Sequence, residues 1–169
     1  MPFATQRSAE MKTKVFFSGL SGLIAGVIAT LFILYYAAPR ILFIERESRL
    51  GYNESIAAIH DAAKAEGWII PKQYKLDVSL SAAGYEVLPV SVIELCKPAH
   101  AHKILVEDEY RVVSSLMPCR VAVYQKADGR TIISRMNTAL LSRVFGSTVR
   151  DVMAQATQET NTILSAVER

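Results

Sequence analysis

The 169 residues contain no glycine-rich phosphate loop, no serine nucleophile elbow and no HExxH pair, so no known enzyme signature is present. Internal repeats and low-complexity tracts are also missing, which excludes solenoids and arrays. Neither sign of charge is in marked excess: Lys plus Arg number 19 against 16 Asp plus Glu, and away from the one hydrophobic run the signs are interspersed. A nucleic-acid surface is therefore not expected. Cysteine is scarce; two residues fit either a disulfide in an oxidising compartment or two thiols in a reducing one.

Against these absences stands one uncharged run, Val15 to Ala38. At the helical rise it extends about 36 Å, enough to cross a hydrocarbon core of roughly 30 Å. Lipid suits a helix that is apolar on every face, because the backbone satisfies its own polar groups. A cleaved signal peptide is the rival, but its apolar region is shorter and ends in a small-residue site, whereas Tyr35 and Tyr36 here fit an interfacial belt. Arg7, Lys12 and Lys14 precede the run and Arg40, Arg46 and Arg49 follow it, a tie that the amino terminus tips towards a cytoplasmic tail and an exported domain, periplasmic or extracellular. Ser18, Gly22, Gly26 and Thr30 recur every four residues and would let a second helix approach closely.

The expected organisation is a mobile tail over 1–14, the transmembrane helix over 15–38, a linker or strand over 39–50, and one folded domain over 51–169. Pro39 is expected to break the helix after Ala38. Asn53 is a plausible N-cap for a helix that buries Ile56, Ile59 and Ala63 and stops at Gly67. Tyr74, Leu76, Val78 and Leu80 alternate with polar residues as in a half-buried strand, and Ser81 to Leu88 reads as a connection. Val90 to Cys96 reads as a central strand and Pro98 as the start of a short helix ahead of an acidic turn at Glu107, Asp108 and Glu109. Cys119 to Tyr124 and Thr131 to Met136 form a hairpin across Asp128-Gly129. Ser147 is placed to cap a last helix burying Val149, Val152, Met153, Ala156, Ile163 and Leu164. Helices mixed with antiparallel strands give an α+β class.

The segments VIELCKP at 92–98, MPCRVAVYQ at 117–125 and TIISRMN at 131–137, with the acidic turn between the first two, resemble the domain of unknown function 302 family. The likeness runs from about Gly51 onward. It implies a mostly antiparallel sheet with packed helices, like the TATA-binding-protein-like domains, usually homodimeric, and does not imply DNA binding. The family has no established activity, and its association by gene context is with sulfur or redox metabolism.

Several residues could carry chemistry. If the strands bearing Cys96 and Cys119 are antiparallel neighbours, the sulfurs are near one another; if parallel, they are a strand length apart, about 17–20 Å. The pair is a redox candidate, with two independent buried small hydrophobes as the bland alternative. Cys96, His100, His102 and Met117 are the right donor types for copper or zinc, although residues two apart on a helix diverge, and the alternative is two partly exposed histidines. Arg120 is placed to lower the Cys119 thiolate pKa or hold an anion, or else to lie on the sheet with its head in water. Glu94 in an apolar strand wants a partner, and Arg120 or Arg135 could supply it. The resulting expectation is a membrane-anchored binding or assembly module that forms a homodimer and takes a protein partner in a membrane complex. Thiol-dependent redox or sulfur handling is the alternative and metal or haem binding the third; no cofactor is specified.

Overall fold

The computed structural model describes the backbone of residues 3–169 and the side chains from Gly22 onward. The chain divides into two compact units, Met1–Ile41 and Leu42–Arg169.

The first unit is the body of helix α1, Phe3–Leu42. Within it Gly22–Leu42 is long and apolar enough to cross a membrane. The helix includes residues 3–14, a stretch with no glycine or proline to interrupt it. One expectation is corrected. Pro39 lies inside the helix, which continues to Leu42: a proline this near the end removes one N–H, and the helix stops within a turn. Of the four small residues, the Ser18 side chain lies outside the described residues. Gly22 and Gly26 leave open space where a Cβ would stand, and Thr30 turns its hydroxyl back to the Gly26 carbonyl at 2.8 Å.

The second unit is built on a five-stranded antiparallel sheet in the order β1-β5-β4-β3-β2. Its strands are β1 Phe43–Glu47, β2 Gln73–Lys75, β3 Val90–Leu95, β4 Cys119–Gln125 and β5 Thr131–Met136. Strand β1 pairs with β5 along its length, from Phe43 opposite Met136 to Glu47 opposite Ile132. The stretch after the apolar run is thus part of the sheet, so the folded unit starts before residue 51. Strand β3 lies inside the sheet between β4 and β2, as its apolar run implies, and β4 is the middle strand.

Helix α2, Tyr52–Ala65, starts after Gly51, whose extended backbone is the N-cap. Asn53 is already inside the helix and exposed, so it caps nothing. At the other end Gly67 adopts φ 70°, and the Trp68 amide returns to the Ala63 carbonyl at 2.8 Å, as anticipated for a glycine stop. The alternating stretch from Tyr74 does not continue as a strand. Only Gln73–Lys75 pairs with β3, and the chain then forms helix α3, Leu76–Ala82. Extension would bring the ladder to Pro89, which has no N–H to offer.

Helix α4, Pro98–Leu105, carries Pro98 in its first turn and is followed by a 3-10 helix, Asp108–Leu116, that holds the exposed acidic residues. A cis Met117-Pro118 bond leads into β4. The β4-β5 hairpin turns at Gly129, with φ 86°. A short helix α5, Thr138–Leu141, a 3-10 turn and helix α6, Ser147–Ser165, complete the chain. Gly146 occupies the N-cap of α6, and Ser147 makes no capping bond.

One face of the sheet carries the core. Ile93, Leu95, Val121, Val123 and Ile133 meet Ile59 and Ala63 of α2 and Ala156, Ile163 and Leu164 of α6. A smaller cluster joins Ile104, Val113, Val149, Val152 and Met153 beneath α4. Each fully buried aliphatic side chain contributes roughly 1.5–3 kcal/mol.

Candidate functional site

Strands β3 and β4 are antiparallel neighbours, with Leu95 opposite Cys119, so Cys96 and Cys119 lie at the same end of the sheet. The parallel alternative is excluded. Cys96 is tied through its backbone to Ile69, at 2.9 and 2.8 Å. Both cysteines are free thiols and border a cavity of about 30 Å³ together with Met117 and His100. Burial pushes both thiols above their usual range; the charge of Glu94 adds to the effect at Cys96, and Cys96 itself adds to it at Cys119.

Arg120 does not serve Cys119. Successive strand residues face opposite sides, and the guanidinium instead reaches its cross-strand partner Glu94, 3.3 Å from Oε1. Tyr74 donates to the same oxygen at 3.2 Å, so the buried carboxylate has the partners its position requires. Arg135 pairs with Glu168 and Asn161.

Of the candidate metal donors, Cys96, His100 and Met117 border the same small cavity, and His102 does not. His102 is exposed, whereas His100 is buried, stacked edge-on against Trp68 with ring centroids 6.0 Å apart. The expectation of two partly exposed histidines thus fails for His100, which points to the interior because Ile104 on the same helix face does. Among the described residues, no group of three His, Cys, Asp or Glu side chains could hold a metal ion.

What fixes His100 is Glu159 of α6, which the sequence reading overlooked. Its carboxylate accepts hydrogen bonds from Lys97 Nζ at 2.6 Å, Trp68 Nε1 at 2.9 Å and His100 Nε2 at 3.0 Å. Burial alone would raise this carboxyl, but the three donors outweigh it and hold the pKa at about 2. The other ring nitrogen, Nδ1, is buried with no partner among the described residues. A signal was available: Glu159 and Thr160 fall where the apolar stripe of α6, through Val152, Ala156 and Ile163, calls for a hydrophobic residue.

A larger cavity, about 110 Å³, lies where β1, β4 and β5 meet α6 and the Ser115–Pro118 segment; Cys119, Arg120 and Thr160 border it. The model of the family described as domain of unknown function DUF302 matches residues 44–167. The chain belongs to the DUF302 family. The match begins within β1, in agreement with the place of that strand in the sheet. The DUF302 fold is also seen in a crystal structure of an uncharacterized conserved DUF302 protein from Bacillus stearothermophilus. The two share 23% identity at a TM-score of 0.67, over 75% of this chain and 98% of the other. No curated protein matches.

Proposed function

We propose that the protein is a single-pass membrane protein whose DUF302 domain acts as an assembly module, pairing with a second copy or with a protein partner in a membrane complex. The span Gly22–Leu42 supports the anchor: Leu23, Ile28, Phe32 and Ile33 are each more than 60% exposed, a state that water disfavours and lipid accepts. The observation that carries the assembly role is in the folded unit. Helix α3 buries none of its residues, and Leu76, Val78, Leu80, Tyr85, Val87 and Leu88 form an exposed apolar stretch. Tethering to a bilayer raises the effective concentration of such surfaces. The amino terminus is placed in the cytoplasm and the domain on the exported side.

The full-length protein in vesicles tests this reading. Alkaline carbonate should leave it in the pellet, and crosslinking should trap dimers or larger complexes that Val78→Asp with Leu80→Asp removes. Release by carbonate rejects the anchor, and unchanged crosslinking rejects the α3 surface. Gly22→Leu with Gly26→Leu reports separately on the span: equal dimer yield removes helix packing from the reading.

Thiol-dependent redox or sulfur handling is the second reading, supported by the shared cavity of Cys96 and Cys119. It is opposed by the raised pKa of both thiols, which keeps them protonated and weakly nucleophilic. Thiols that resist modification until the protein unfolds would remove it.

A further inference from the structure

The corner of the sheet at which the chain leaves the apolar span carries groups that the fold does not use. Leu42 closes the span, and Phe43 opens β1 with no residue between them. Phe43 stands opposite Met136, and the Asn137 amide donates to the Leu42 carbonyl at 2.7 Å. Phe43 and Met136 are both exposed. Met136 and Leu116 border one small cavity with Leu141, Ser142 and Phe145, which brings the 3-10 turn Ser142–Val144 to the same corner. On that turn Val144 is 82% exposed, more than any other large apolar side chain among the described residues.

The segment that forms this corner carries charge of one sign. From Gly129 to Arg150 there are four arginines and no Asp or Glu. Arg130 is held by Glu47 and Asp128, Arg135 by Glu168 and Arg150 by Asp151. Arg143 is exposed, and its side chain makes no hydrogen bond or ion pair among the described residues. An unpaired arginine beside a protruding valine suits the boundary between phosphate and acyl chain, where the guanidinium meets an anion and the valine leaves water.

Connectivity decides which surface meets this corner. Consecutive Cα atoms are about 3.8 Å apart and paired strands about 4.8 Å, whereas each headgroup layer is about 5–7 Å deep. With Leu42 at the membrane surface, Phe43 and Met136 fall within that layer. A soluble partner would have to displace lipid to reach them.

We infer that this corner of the DUF302 domain rests on the bilayer, with Met136 and Val144 against the acyl boundary and the Arg143 guanidinium on a phospholipid phosphate. The contact rests on the membrane-anchor reading and adds to it a face of the domain held against lipid. It does not involve the α3 surface: α3 follows Lys75, whose row of strand partners runs through Ser91, Val123 and Ile133 to Arg46, three residues along β1 from Phe43.

The test uses the full-length protein, one copy per nanodisc of phosphatidylcholine and phosphatidylglycerol, with carbon-13-labelled Val, Leu and Met methyl groups. Lipid carrying a gadolinium chelate on its headgroup should erase the Val144, Leu116 and Met136 methyl signals and spare Val78 and Leu80 of α3. Arg143→Gln should shift the balance between docked and free domain about fivefold towards free, read as recovery of the Val144 signal. Val144→Asp should restore the Leu116 signal further, and unchanged Val121 and Val123 methyl shifts would establish that both variants remain folded. A native protein in which Val144 keeps its signal, or in which Val144 and Val78 are erased alike, overturns the inference. Equal loss of the Val144 signal in Arg143→Gln overturns it as well. Protein that does not co-elute with the nanodiscs rejects the anchor itself, a result distinct from an anchored protein whose Val144 is spared.

Discussion

Glu159, half-buried, and Thr160, buried, are consecutive residues on the inner side of α6, and their surroundings treat them in opposite ways. On the α4 side Glu159 gathers donors from three separate elements: Trp68 after α2, Lys97 ahead of α4 and His100 within it. On the β1-β5 side the Thr160 hydroxyl is buried with no partner among the described residues. The same departure from the apolar pattern therefore has two meanings. Where partners converge, an enclosed polar group ties elements together; where none do, it costs the fold its desolvation.

The largest effect should come from breaking the satisfied side. Glu159→Ala strands the Lys97 ammonium, the Trp68 indole N–H and the His100 ring, and should lower stability by about 3 kcal/mol, read as a fall in the unfolding midpoint of the full-length protein. Acid should act on the same group. Its folded pKa of about 2 lies below the ordinary 4.5, so the stability it supplies is complete above about pH 4.5, declines as pH falls towards 2, and is absent below. Glu159→Gln should flatten the stability profile across that interval while leaving its shape above pH 5 unchanged. An equally steep acid limb in the variant would assign acid sensitivity to other carboxylates.

The contrast also explains what the amino-acid sequence makes legible. Periodicity identified the apolar helix, α2, α6 and the β4-β5 hairpin, because each buries one face and solvates the other. It misled at Leu76–Leu80, where alternation persists but Pro89 ends the ladder, and at Pro39, where a single proline shortens a helix by less than expected. The cysteines, His100 and Met117 could be singled out as chemically suggestive. Their antiparallel placement required the register of β3 against β4, which depends on contacts distant in sequence. Glu159 and Thr160 were visible as polar letters in an apolar stripe, but whether each has partners is a property of the assembled fold.

On the unsatisfied side the sign should reverse. Thr160→Val replaces a hydroxyl with no partner by a methyl of similar size, and it should raise stability by up to about 1 kcal/mol. Thermal unfolding of Glu159→Ala, Thr160→Val and the double variant would show whether the two sides of the helix are independent. Additivity within about 0.5 kcal/mol is expected if each residue acts only on its own surroundings. A loss of stability in Thr160→Val would mean that the hydroxyl is already hydrogen-bonded in the folded protein.

The smallest effect sharpens the comparison with a third polar residue. Glu94 is more enclosed than Glu159, its side chain 9% exposed against 20%, yet its partners are one tyrosine hydroxyl and an arginine whose side chain is 63% exposed. Water screens a pair of that kind and competes for its donor, so Arg120→Gln should cost no more than about 0.5 kcal/mol. Tyr74 remains in place in that variant and keeps the Glu94 carboxylate hydrogen-bonded. If Arg120→Gln instead proved as damaging as Glu159→Ala, enclosure of the acid alone, and not the number of buried donors that reach it, would govern the energetics of both sites.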